Sequence, residues 1–102
     1  MSHLTGLVAE LVRAANTFDG LGDFEKRRLL DRAYRSIEEG RREIGVHPSQ
    51  TKYDAAIDFL TISRSPESFS MEEQRAALLD AAEMLRTMKI LLDAKAEVER
   101  GE

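Results

Sequence analysis

The stretch from Ser70 to Arg100 constrains the fold more than any other part of the chain. It contains neither proline nor glycine, and its apolar side chains recur at the 3.6-residue spacing of an α-helix. Ser70 is followed three residues later by Glu73, the spacing of a capping box, in which each side chain accepts a hydrogen bond from the other residue's amide. The pattern predicts one unbroken helix over about 71–100.

This helix is too long for the domain that the chain can build. About 30 helical residues span about 45 Å, whereas a compact globule of 102 residues has a diameter of about 33 Å. The helix is therefore expected to extend beyond its own domain. The extension either frays, since residues from Lys95 onward are mostly polar, or packs on another chain.

The same spacing predicts three shorter helices before it. They cover about residues 4–17, 24–44 and 51–63. No stretch alternates apolar and polar side chains at period two over a useful length, so strands are not expected. The predicted fold is all-α: a small four-helix bundle-like domain with a long C-terminal helix, formed by residues 1–102 as a single domain.

Local signals mark the ends of these helices. Asp23 is expected to cap the second helix, which Gly45 and Pro48 then end. Thr51 and Asp54 have capping-box spacing at the start of the third.

Gly40 lies at the edge of the apolar stripe of the second helix. It either permits a close helix crossing or merely weakens the helix end, where glycine costs about 1 kcal/mol relative to alanine.

The apolar stripes predict the core. Ile57 lies on one side of the third helix with Leu60, and Phe59 and Ile62 lie on another, a pattern typical of a buried central helix. The residues expected in the core are Leu7, Leu11, Leu30, Ile37, Ile57, Leu60, Leu78 and Leu85.

Composition excludes several kinds of site. The chain has no cysteine, which excludes disulfides, a thiol nucleophile and cysteine metal sites, and which fits a reducing cytoplasm. Neither His3 nor His47 has carboxylates at metal-ligand spacing, and no Gly-x-Ser-x-Gly or phosphate-binding loop occurs. No apolar run approaches the roughly 20 residues of a membrane span. The sequence therefore predicts a cytoplasmic protein without catalytic residues, cofactor or metal.

The second helix carries a ridge of basic side chains that could contact phosphates. Four of them fall within an arc of about 80°: Arg28, Arg32, Arg35 and Arg42. Acidic residues interleave at i,i+4 spacing, as Asp31 does with Arg35 and Glu38 with Arg42. The net charge is −4, and an acidic chain is repelled by nucleic acid. A salt-bridged, solvated face is the preferred interpretation, and a nucleic-acid-associated regulator is the alternative.

The last helix indicates a partner. Its main apolar arc runs from Met71 to Ala96, includes Leu91 and spans about 180°, more than one contact needs. Leu79 and Ile90 lie outside this arc, nearly in line along the helix. We therefore expect an interaction protein (an adaptor, regulator or assembly factor) that binds a protein partner and forms a homodimer. The predicted contact involves Leu79 or Ile90, or the far end around Leu91 and Val98. The sequence does not identify the partner.

Overall fold

The computed structural model describes residues 2–45 and 55–101 of the chain. Within these ranges the chain forms four α-helices and no strand, as predicted. The helices are α1 (Ser2–Asn16), α2 (Asp23–Ile44), α3 (Ala55–Arg64) and α4 (Met71–Gly101). Single turns of 3-10 helix, Phe18–Gly20 and Pro66–Ser68, join α1 to α2 and α3 to α4. The predicted residues 51–54 of the third helix lie outside the described ranges.

Each helix runs antiparallel to the next, in the up-and-down arrangement of a four-helix bundle. Phe18, just after α1, lies beside the first turns of α4, where the Arg75 guanidinium is 5.8 Å from its ring centroid. The other end of the bundle brings Gly40 of α2 against Met88 of α4. α1 therefore runs antiparallel to α4, and α2 runs parallel to it. Arg27 at the start of α2 pairs with Glu67 just after α3 at 3.6 Å, so α3 runs antiparallel to α2.

The core draws on all four helices, and six of its eight predicted members are buried. These are Leu7, Leu11, Leu30, Ile37, Leu78 and Leu85. The prediction for α3 was wrong, because Ile57 is 48% exposed and Leu60 is half-buried. The opposite face, with Phe59 and Ile62, faces the bundle instead. A helix at the edge of the bundle buries one face, and the face with the phenylalanine removes more apolar area from water.

Two of the three predicted helix-end residues that the structure describes have the role that the sequence predicts. Ser70 N–H donates to Glu73 Oε1 at 2.8 Å, and Glu73 N–H donates to Ser70 Oγ at 3.1 Å, so the capping box is confirmed. Gly45 ends α2 at a φ of 96°, a conformation that glycine adopts without strain.

Asp23 does not cap α2. Gly22 is the N-cap and no side chain caps this end, whereas Asp23 is already helical and pairs with Lys26 at 3.6 Å. The Asp23 carboxylate stabilises the start of α2 through its interaction with the helix dipole rather than through a capping hydrogen bond. Pro48, Thr51 and Asp54 lie outside the described residues.

Helix α4 determines the length of the molecule. Its 31 residues span about 46 Å, which accounts for the longest extent of 48 Å in a body only 29 Å and 17 Å across. Leu92 is the last buried residue of α4, and residues 93–101 contribute no buried side chain. The helix extends beyond the core, as predicted. Within the described ranges, no helix combines the length and apolarity that crossing a membrane requires.

Candidate interaction surface on the C-terminal helix

Among the described residues, most of the large apolar side chains that remain exposed lie on α4. Ile90 is 67% exposed, Val98 66%, Leu91 48% and Leu79 43%. Met71 is also exposed, so two members of the main apolar arc, Met71 and Leu91, lie outside the core. The core covers a narrower arc, because α4 protrudes at its C-terminal end and Met71 is its first residue.

Five of the exposed α4 residues form one stripe, which we call the C-terminal seam: Thr87, Ile90, Leu91, Ala94 and Val98. Their spacings of three and four residues place them within an arc of about 100°. Leu79 is in line with Ile90 but lies 11 residues, or about 16 Å, further toward the start of the helix. The seam therefore combines three of the four predicted interface residues, and Leu79 stands apart from it.

Ion pairs along α4 form a charged border on one side of the seam. They are Glu83–Arg86 at 3.7 Å, Lys89–Asp93 at 2.7 Å and Glu97–Arg100 at 3.4 Å. The hydrogen bond from the Lys89 ammonium holds the pKa of Asp93 below its ordinary value. An apolar stripe beside a charged rim has the anatomy of a protein–protein contact.

The other side of the seam meets the end of α2. Leu91 and Thr87 line a shallow cavity of about 230 Å³ together with Met84, Met88 and Arg41. The Lys95 ammonium donates a hydrogen bond to the Glu43 carbonyl oxygen. This contact ties the first turn of the overhang to α2, so the seam is presented in a defined direction.

The basic ridge on α2 is largely neutralised by ion pairs. Arg28 pairs with Glu25 at 2.8 Å and Arg32 pairs with Glu10 of α1 at 3.2 Å. The predicted pair of Arg35 with Asp31 forms at 3.1 Å.

At the end of the ridge, Glu38 pairs with Arg41 at 3.3 Å rather than with the predicted Arg42. Arg42 is exposed. Three of the four ridge arginines therefore form ion pairs, two of them within α2 and one between α2 and α1.

Sequence reasoning missed two features of the surface. Phe24 is 76% exposed, and its position away from the Leu30 and Ile37 stripe could have indicated this. Lys26 is buried with its ammonium 4.3 Å from the centroid of the Phe18 ring. That contact depends on how the turn after α1 folds back, which spacing along one helix does not encode.

The part of the chain that the structure describes brings together no group of three or more histidine or acidic side chains that could hold a metal ion. Comparison with models of protein families, with curated proteins and with solved structures finds no match.

Proposed function

We propose that this chain is a small cytoplasmic interaction protein, an adaptor, regulator or assembly factor, that self-associates through the C-terminal seam of α4. The observation that carries the proposal is the position of Val98. It is 66% exposed on an overhang without buried side chains, in line with the exposed Ile90 and Leu91 of the preceding turns. Pairing with a second copy removes all three from water, and the proposal assigns the chain no reaction.

The order of residues along the seam favours an antiparallel pair. With a two-fold axis beside Ala94, Val98 of each copy packs on Ile90 of the other, so each overhang covers the other copy's exposed turn. The small side chain at the axis permits close approach of the two helices. The helix dipoles of an antiparallel pair also oppose each other favourably.

Sedimentation equilibrium of the wild type and two matched variants tests the proposal. Ile90→Lys places a charge in the seam, and Phe24→Lys makes the same kind of change at an equally exposed site on α2. We expect the wild type and Phe24→Lys to shift from monomer to dimer as concentration rises. We expect Ile90→Lys to remain monomeric with unchanged helix content by circular dichroism.

Two results would overturn the proposal. A wild type that stays monomeric to near-millimolar concentration has no such interface. Equal weakening by Phe24→Lys and Ile90→Lys would mean that association is not specific to the seam.

The alternative, a nucleic-acid-associated regulator, draws less support. Its ridge has Arg28, Arg32 and Arg35 paired with acids, and phosphate binding would have to displace these carboxylates. Titration of fluorescein-labelled duplex DNA and RNA at low ionic strength tests it. Binding that weakens steeply with salt and is lost in an Arg28→Gln, Arg32→Gln variant would favour this alternative.

A further inference from the structure

A second apolar groove runs between α3 and the N-terminal half of α4, well separated from the seam. It encloses about 310 Å³. Its walls include Phe59 and Ile62 from α3, Phe69 from the connecting turn, and Ala76 and Ala77 from α4. The alanines leave room beside the aromatic rings, so the groove can accept apolar side chains from outside.

The charged side chains among the described residues that line this groove are all acidic. Asp58 stands on the α3 side, and Glu73 and Asp80 stand on the α4 side. No lysine or arginine is among the described residues that line it. Asp80 is exposed in the N-terminal half of α4, where its charge faces solvent at the rim.

We propose that the groove binds an amphipathic helix of a partner protein that carries lysine or arginine beside its apolar face. A helix lying in a groove between two helices presents leucine-like side chains at i, i+3, i+4 and i+7 to the apolar floor. Its basic side chains then reach Glu73 and Asp80 along the α4 wall, and this charge complementarity selects the partner and speeds its encounter.

The protein's own C-terminal overhang does not match this occupant. Residues 93–101 carry Asp93, Glu97 and Glu99 against Lys95 and Arg100, a net charge of −1. The acidic rim disfavours a net acidic segment, so the groove is a site for a different chain. Asp80 and Ile90 lie 10 residues, or about 15 Å, apart along α4, and a dimer formed through the seam would leave both of its grooves open.

The probe for the test is a synthetic helical peptide of about 18 leucine and lysine residues with its leucines on one face. We expect the ¹⁵N–¹H spectrum of the wild type to change on titration mainly at Thr61, Phe69, Ala76 and Ala77. Binding should weaken with added salt because the rim charges are exposed. A peptide with glutamate in place of every lysine should not bind.

Two charge reversals separate the groove from the general acidity of the protein. Asp80→Lys should weaken peptide binding on the order of tenfold. Glu39→Lys, the same change at an exposed position of α2, should alter it by less than about twofold. Ala76→Trp fills the groove without changing charge and should abolish binding, and circular dichroism checks that each variant keeps its helices.

Three results would overturn the inference: no binding at low ionic strength, equal weakening by Asp80→Lys and Glu39→Lys, or spectral changes centred on another surface. The groove between α1 and α4, lined by Val8, Val12 and Arg86, is the competing surface. The spectra are recorded on the wild type, so the test does not depend on any variant folding. Repeating the titration with Ile90→Lys separates this inference from self-association, because the groove should bind whether or not the seam pairs.

Discussion

Gly40 of α2 and Met88 of α4 are in direct contact, with no room for a side chain at residue 40. A Cβ placed there would stand 2.5 Å from Met88 Sδ and 2.7 Å from its Cγ. Both residues are buried. The glycine therefore lets α2 and α4 cross closely just before α4 leaves the core. Of the two roles that the sequence suggested for Gly40, the close helix crossing is the one observed.

The first prediction concerns this contact. Gly40→Ala should destabilise the protein by about 1 kcal/mol, because the cost of displacing Met88 exceeds the gain in helix propensity. In a Met88→Ala background the same change should stabilise by a few tenths of a kcal/mol or more, since the propensity gain remains and the clash is gone. Urea unfolding of the four proteins gives the coupling. A Gly40→Ala effect with the same sign and size in both backgrounds would contradict the contact.

The second prediction concerns the start of α4. Ser70→Ala removes the hydroxyl that accepts a hydrogen bond from the Glu73 N–H. The change should lower the free energy of unfolding by about 1 kcal/mol. Ser68→Ala, at an exposed serine of the same connection, is the control and should change it by less than about 0.5 kcal/mol. If Ser70→Ala is as stable as the wild type, and the dependence of its unfolding free energy on urea concentration is unchanged, the cap does not stabilise the fold.

The third prediction concerns Gln74, which holds the turn between α3 and α4. Its buried Nε2 donates to the Pro66 carbonyl at 2.7 Å and to the Phe69 carbonyl at 2.9 Å. Gln74→Met keeps the shape and removes both donors, so the Phe69 carbonyl loses this hydrogen bond and the Pro66 carbonyl keeps only the one from the Phe69 N–H at 3.1 Å. We expect a loss of about 1 to 2 kcal/mol, measured by urea unfolding. A Gln74→Met protein as stable as wild type would show that these hydrogen bonds add nothing net.

The fourth prediction concerns pH. Lys89 lowers the pKa of Asp93, so the pair stabilises the fold above the unfolded pKa of about 3.9. That contribution is lost as pH falls through the lower folded value. Lys89→Met should return the pKa of Asp93 toward its ordinary value, as followed by carboxyl chemical shifts. An unchanged Asp93 titration in Lys89→Met would mean that the ammonium is not the cause.

The sequence predicts those parts of the fold that depend on residues near one another along the chain. The capping box at Ser70, the stop at Gly45 and the core stripes of α1, α2 and α4 are local patterns, and the structure has them. The buried face of α3 was misassigned because both of its faces are apolar. Whether Ile57 or Phe59 is buried depends on which face of α3 packs against α2 and α4.

The candidate surfaces show the same division. The exposed Ile90 and Val98 follow from helical spacing and from the length of α4. The groove beside Asp80 is built from α3, the turn at Phe69 and α4 together. The pattern of one helix cannot predict the groove, because the groove forms only where these three elements pack together.

Covalent cross-linking through one introduced cysteine tests self-association through the seam most directly, because the chain has no cysteine of its own. Under mild oxidation at concentrations where the wild type sediments as a dimer, Ala94→Cys should form a disulfide-linked dimer rapidly. Thr87→Cys should not, since antiparallel pairing places its two copies about 21 Å apart. Efficient linkage at both positions would indicate parallel pairing, and an Ala94→Cys protein that forms no linked dimer would contradict the proposed pairing.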